Sequence, residues 1–462
     1  MVRRRNMFSI LYCIAAAAAL SIPSHIAHRT LHSRGLLGAR HHTINAPAYL
    51  ETRDGAELQV HVENKLGKEL HAYVSGQVQS QHVLLGVKEA ESSFISLPTT
   101  GNGTATAGLV AIPNLQPISI PKEGKDFTIP GYMGSARVYI SETPALRFRA
   151  QVSGGSGRPE LEQPDFLNPT DPAQNASWGF MEFEYNEAEL FMDITFVDFV
   201  GLPIGMSMTY NADSNETTDT IAGPHKDALK SLCDGISNLK DQDPGVPWAD
   251  LCFKNSANEP LRVMAPEKYM SLHPDSGFNT YYDPYVDEVW KKYTDEALTI
   301  DTQDRSGQAV AHGLEIPCKV EQPGDVLTCR FGNGTVAASF KKPTSREIFG
   351  CAGTGPGSAF DLPADASDTQ KELMTRLCAA LNRSTLLLSA TPLKVPKQNY
   401  YGHKITNHYS RLVHENLADG KGYAFAYDDV NMDPTDPNEN SAGVIQKANP
   451  VRMEIIVGGD DA

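Results

Sequence analysis

The stretch WGFMEFEYNEAELFMDITFVDFVGLPIGMSM, residues 178 to 208, has the texture of sheet but carries carboxylates where a sheet favours apolar side chains. Glu182 and Glu184 interrupt the first run, Asp193 the second, and Asp198 sits inside FVDFVGLP. Acids are rarely buried without partners, so their placement requires a reason. A protonated carboxyl beside an ionised carboxylate is the equipment of glycoside hydrolysis. One donates to the leaving oxygen, and the other acts on water or as a nucleophile. Such work needs carboxyls on rigid elements, with apolar surroundings to keep one of them protonated.

Strand alternation sorts these residues. Glu182 and Glu184 share one face, and Met181, Phe183 and Tyr185 take the other. In the following run Met192, Ile194, Phe196 and Asp198 share a face opposite Asp193, Thr195 and Val197. A tight turn at Glu187 and Ala188 sets Glu182 opposite Asp193, so pairing it with Asp198 needs a bulge, a longer connection or a twisted cleft between sheets. A second reading stays open on the residues alone: Glu182 and Glu184 face solvent, and Asp198 caps the turn before GLP.

Other groups of chemical interest are weaker. NTYYDPYVDEVW offers Tyr281, Tyr282, Asp283 and Trp290, and aromatic faces beside acids suit a sugar, although a packed helix start has the same pattern. The acidic stretch YDDVNMDPTDPNEN lacks the glycine and closing glutamate of a calcium loop and reads as solvated. His403, His408 and His414 fall near one helix, but no H-E-x-x-H is present, and no metal or cofactor is expected. GCAGTGPGSAF lacks the lysine of a phosphate loop, and SGGSG does not follow a strand as a nucleophile elbow must.

The elements that must position the acids are strands. From about 48 to 210 short strand patterns recur (AELQVHVENKL, ELHAYVSGQV, FISLP, GLVAIP, FTIPGY, ARVYISE, LRFRAQV) between Gly, Pro and Asn clusters, which argues for an antiparallel sandwich or barrel. Residues 153 to 175 read as a long loop. After about 211 helical patterns follow: 224 to 240, DPYVDEVWKKYTDEA, SDTQKELMTRLCAALNRS with Ser367 or Asp368 as cap, and TNHYSRLVHENLADG ending at Gly420. Strand texture returns in KGYAFAYDDV and VRMEIIVGG. The expected layout is mainly β with an α/β insertion. Residues 48–210 and 397–462 form the β-sandwich or barrel, and 211–396 form a mixed α/β domain.

At 462 residues the chain fits two domains or one large domain with insertions. Its formal charge of −16 repels nucleic-acid phosphates and anionic membranes and leaves neutral or cationic partners. MVRRRNMFSILYCIAAAAALSIPSH is built like a secretory signal, over residues 1–27; an uncleaved anchor is the alternative, disfavoured by the short apolar run. Residues 28–47 read as a pro-segment or disordered arm. Of seven cysteines, Cys13 lies in the signal; Cys233, Cys252, Cys318, Cys329, Cys351 and Cys378 suit disulfides in an oxidising compartment. Short loop closure favours sequential pairs, 233 with 252, 318 with 329 and 351 with 378. Sequons at Asn102, Asn175, Asn215, Asn333 and Asn382 add support for a secreted, extracellular glycoprotein.

FVDFVGLPIGMSM, NTYYDPYVDEVWKKYTDEALTIDTQ and NHYSRLVHENLADGKGYAFAYDDVNMDPTDPN together resemble glycoside hydrolase family 64, the thaumatin-like β-1,3-glucanases, from about 48 to the C-terminus. The resemblance implies a thaumatin-like antiparallel β domain, a mixed α/β domain and a cleft between them for a β-1,3-glucan chain. It further implies an inverting, endo-type hydrolase that releases short laminari-oligosaccharides. By matching positions it makes Glu182 the general acid and Asp198 the general base, with Glu184 as the rival acid. Glu184 stands where the family usually has threonine. Glu184, Asn186, Tyr282 and Asp283 are the expected substrate-binding residues. An inverting pair stands about 6.5–9.5 Å apart to admit water, which removes the need for Glu182 and Asp198 to be direct strand partners. The expected protein acts as a monomer without cofactor. The reading from another class is a thaumatin-like protein that binds glucan without turning it over; a structural wall glycoprotein would require a blocked cleft.

Overall fold

The computed structural model describes residues 57–461 apart from 90, 99–107, 153–158, 214, 305–311, 434–435, 437–438 and 440. The expected signal, the pro-segment and Asn102 lie outside the described residues.

Two large sheets carry the first half. In a five-stranded sheet the order is Asn215–Ile221, Ile204–Ala212, Pro450–Val457, Leu58–Asn64 and Lys125–Ile129. Its centre joins the two ends of the described chain: Leu58–Asn64 runs parallel to Pro450–Val457, with Val60 beside Met453 and Val62 beside Ile455. An eight-stranded sheet runs Ile445–Lys447, Leu190–Ile194, Trp178–Tyr185, Met133–Ser141, Leu70–Val78, Gln81–Lys88 and Glu91–Ser96, with Ile118–Ile120 also on Leu70–Val78. Alternation gives each sheet an apolar face. Val60, Val62, Met206 and Ile455 from the first share one hydrophobic core with Val74, Val138, Met181, Phe183, Met192 and Ile194 from the second.

The opposite face of the larger sheet is apolar at one end only. There Tyr139, Trp178 and Phe180 are covered by Phe148, Phe166 and Phe199. Two residues beyond Phe180 on the same strand face stands Glu182, where the aromatic cover ends. Part of that cover comes from the segment expected as a structureless loop, in which Pro159–Glu162 pairs with Arg149–Val152.

The second half holds more strand than its helical texture suggests. Phe199–Val200, Pro260–Met264 and Cys252–Lys254 make a three-stranded sheet, and Leu298–Asp301, Glu315–Glu321, Val326–Arg330 and Val336–Phe340 a four-stranded one. Helices form at Ala228–Ser237, Asp283–Asp295, Asp368–Asn382 and His408–Glu415. Ser367 and Gln370 close a capping box on the third. The last stops at Asn416 rather than at Gly420. KGYAFAYDDV forms turns instead of the expected strand, because Asp428 is drawn inward onto Arg383 and His414.

Disulfides join Cys233 to Cys252, Cys318 to Cys329 and Cys351 to Cys378. One sequon is corrected by burial. Asn382 is fully buried and its Nδ2 donates to Ile348 O at 2.7 Å and Cys378 O at 3.1 Å, so it has neither the access nor the spare amide for a glycan. Asn175, Asn215 and Asn333 are exposed.

Candidate active site

Glu182 is held by the register of three strands, opposite Asp193 on one side and Arg137 on the other. The tight turn that sets this register is made by Asn186. Its side-chain oxygen accepts from Ala188 N at 2.9 Å and Glu189 N at 3.2 Å, closing the loop at Glu187 and Ala188. That is the role the structure gives Asn186, at the rim of the same sheet face.

Asp198 is delivered differently. The strand ends at Ile194, so the alternation that the sequence suggests does not run through to Asp198. The chain turns away as Phe196 N donates to Tyr423 O at 2.7 Å and Tyr409 OH donates to Phe196 O at 2.5 Å. It re-enters sheet at Phe199 and Val200, which pair with Met264 and Val263. The carbonyl of Asp198 accepts from Ala265 N at 3.0 Å. Asp198 is thus fixed by a break between two sheets rather than by a strand position.

Each carboxylate has its own largely buried cation. Arg137 Nε donates to Glu182 Oε1 at 2.7 Å, while its Nη1 donates to Gln163 Oε1 at 3.1 Å and its guanidinium lies 4.8 Å from the Phe180 ring centroid. The Tyr139 hydroxyl donates to the same Gln163 oxygen. Lys268 Nζ lies 3.0 Å from Asp198 Oδ1 and 3.4 Å from Glu267, which also receives Arg346 at 3.1 Å. Burial works against charge on Arg137, but the carboxylates of Glu182 and Asp198 outweigh it and keep the guanidinium protonated. Burial likewise opposes charge on Lys268, and Asp198 and Glu267 reverse the effect. Arg137 therefore stands in the field of both acids.

Glu184 shares the face of Glu182 and has no such cation among the described residues. Burial, then the nearby Glu189, pushes its carboxyl above the usual range. Tyr282 is corrected: it is fully buried, its ring packed against Tyr281, Tyr285 and Phe349, out of reach of any substrate. Asp283 is exposed at the first turn of its helix, where a carboxylate suits the dipole. The three histidines are occupied within the fold: His403 contacts Ile405 O, His408 contacts Lys404 O, and His414 bonds Asp428. Among the described residues no group of three or more metal-ligating side chains converges.

Arg137, Gln163 and Lys268 are the residues that sequence reasoning missed. The only trace of them is that inward-facing acids require cations, and nothing in the chain says which ones.

A mainly β, disulfide-stapled protein with two cation-held carboxylates at the edge of an aromatic cover fits a class that cleaves or binds polysaccharide. The family model for glycoside hydrolase family 64, described as beta-1,3-glucanase, matches residues 56–457, and the chain belongs to that family. It is 28% identical over 296 residues to a glucan endo-1,3-beta-glucosidase of Cellulosimicrobium cellulans, across 64% of this chain and 48% of that protein. It is 27% identical to the enzyme of that name from an Arthrobacter strain, so the chain spans about half the length of the curated relatives it matches. A crystal structure of a laminaripentaose-producing beta-1,3-glucanase in complex with laminaritetraose shares its fold with a TM-score of 0.68 at 23% identity, over 87% of this chain and 98% of that one. A beta-1,3-glucanase domain from Clostridium beijerinckii gives 0.63 at 18% identity, with the same coverage.

Proposed function

We propose that this chain is a secreted, endo-acting, inverting β-1,3-glucan hydrolase that releases short laminari-oligosaccharides, works as a monomer and uses no cofactor. In this reading the two large sheets form a thaumatin-like sandwich, whose expected boundary at 210 moves to 221 because Ile204–Ala212 and Asn215–Ile221 pair as strands of the five-stranded sheet. With 397–462 they make one domain, 222–396 forms the mixed α/β domain, and the glucan lies in a cleft between them. Exposed Asn175, Asn215 and Asn333 are its candidate glycan sites.

One observation carries the assignment of roles. Glu182 lies on a strand of the larger sheet and Asp198 in the break between two sheets, each is bonded to its own cation, and Arg137 lies in the field of both. Glu182 is the general acid. Arg137 occupies Oε1, so the proton for transfer sits on Oε2 and passes to the glycosidic oxygen as its bond to the anomeric carbon breaks. Asp198 is the general base. It takes a proton from a water whose oxygen attacks that carbon from the opposite side, giving the α-anomer. Glu184 and Asn186, on the same face or at its rim, are placed to meet neighbouring sugars.

The test is release of reducing ends from laminarin and curdlan by the wild type, Glu182→Gln, Asp198→Asn and Glu184→Gln. Turnover falls by about 100-fold or more in the first two variants and survives in the third. The elevated carboxyl of Glu184 favours one rival, in which Glu184 is the acid; loss in Glu184→Gln with retention in Glu182→Gln would establish it. A wild type that binds laminarin without cutting it would instead establish the glucan-binding reading. First-formed product observed by NMR as the β-anomer would exclude inversion.

A further inference from the structure

We infer that Lys268 is the positioning residue of the base: it orients the Asp198 carboxylate, while Glu267 draws on the same ammonium and tempers its effect. This rests on the reading of Asp198 as general base.

The geometry behind it is a double anchor. Asp198 is tied through its backbone to Ala265, and the turn that begins there carries Lys268, whose own N–H donates to Ala265 O at 3.0 Å. Pairing of Phe199 with Met264 and of Val200 with Val263 keeps the two segments in register. The 3.0 Å contact of Lys268 Nζ with Asp198 Oδ1 is therefore set by the backbone and not by the chance reach of a long side chain.

The placement is costly for the fold alone. Lys268 is only 9% exposed, and it lies in the first turn of the helix Pro266–Leu272, where a cation is disfavoured and the acid Glu267 is not. Asp198 and Glu267 are what keep it charged. Apolar residues in place of Lys268, Asp198 and Glu267 together would pack there without these penalties, so the charged group has a use that packing does not supply. By binding one oxygen of Asp198, the ammonium fixes the carboxylate plane and leaves the other oxygen to receive the proton of water. Arg137 from the strand Met133–Ser141 and Tyr409 from the helix His408–Glu415 are further ionisable groups that interact with Asp198. Lys268 stands between two anions, and Arg346 holds the outer one, Glu267.

The two anions give the inference opposite signs to test. In the full-length protein, Lys268→Met lowers kcat on laminarin by about 10- to 100-fold, the size of a lost charge-assisted hydrogen bond, with KM little changed. It moves the acid limb of the pH profile to higher pH, because the ionised base has lost its cation. Glu267→Gln moves that limb to lower pH, since the ammonium then serves Asp198 alone, and Lys268→Arg returns towards wild type. A purely structural lysine would shift neither limb, or both together; wild-type profiles for Lys268→Met and Glu267→Gln overturn the inference. Should Lys268→Met fail to fold, the downward shift in Glu267→Gln and the near-wild-type Lys268→Arg decide the matter. Asp198→Ala with added azide separates the two levels. Loss of turnover, with an α-glycosyl azide formed on rescue, upholds the base whatever Lys268 does. Wild-type turnover in Asp198→Ala removes the base and the inference with it.

Discussion

At the residue scale the two carboxylates proposed as acid and base differ in the cations that hold them. Glu182 has one, shared in field with Asp198; Asp198 has Lys268 in contact and Arg137 in range. Arg137→Met removes the cation bonded to the proposed acid and is expected to move the basic limb of the activity profile to higher pH. It also lowers kcat by roughly tenfold or more, because loss of a charged hydrogen bond worth about 1.5–3 kcal/mol leaves the acid unaligned. A pH series of kcat on laminarin reads both effects, and a basic limb that moves down contradicts the assignment. The opposition of Glu182 and Asp193 was legible from the two-residue turn and is the register found. Arg137, Gln163 and Lys268 were not legible, since each reaches its partner from a remote part of the chain. Tyr282 misled because an aromatic at a helix start has the same pattern whether it faces core or cleft.

At the scale of elements, the break after Ile194 depends on the strap from Tyr423 to Asn431. Tyr423 accepts from Phe196, and the strap is pinned by Asp428, which takes hydrogen bonds from Arg383 Nη2 at 2.9 Å, His414 Nε2 at 2.8 Å and Ala424 N at 3.0 Å. Strand texture in the strap's sequence concealed this, because an aspartate that faces a buried arginine reads like any loop acid. Asp428→Asn strands a buried guanidinium and is expected to cost about 3–5 kcal/mol, measured as a shift in urea unfolding. The pH signature has two sides. Burial opposes charge on Asp428, but His414 and Arg383 hold its carboxylate below the usual range. Its contribution is present above the ordinary carboxylate value and is lost as pH falls through the depressed one. Burial likewise opposes charge on His414, yet Asp428 raises it, so its contribution is present below the ordinary imidazole value and fades as pH rises through the raised one. The variant should lose both dependences. Equal stability of the two proteins across pH would refute the pin.

At the scale of the molecule, the mainly β character was legible from alternation, but the closure of the fold was not. A parallel pair between Leu58–Asn64 and Pro450–Val457 leaves no mark in either strand's own pattern, which states a period and not a partner. Net charge, in contrast, is wholly a sequence property and carries to function. The formal charge is −16, and the first 47 residues contribute arginines and no acids, so loss of that segment makes the remainder more negative. Glu184, Glu189 and Asp193 add negative groups on or beside the face that holds Glu182. A neutral glucan does not feel this field, whereas an anionic one is repelled over about 10 Å at 0.1 M salt. Hydrolysis of laminarin should therefore keep the same kcat/KM from about 0.01 to about 0.3 M sodium chloride, while that of carboxymethylated β-1,3-glucan rises severalfold as salt shortens the screening length. Initial rates on the two substrates across that series measure it directly. If the anionic glucan is cut no faster in salt, the acids beside Glu182 are neutralised locally, and Arg137 and Lys268 rather than the net charge govern what the proposed site admits.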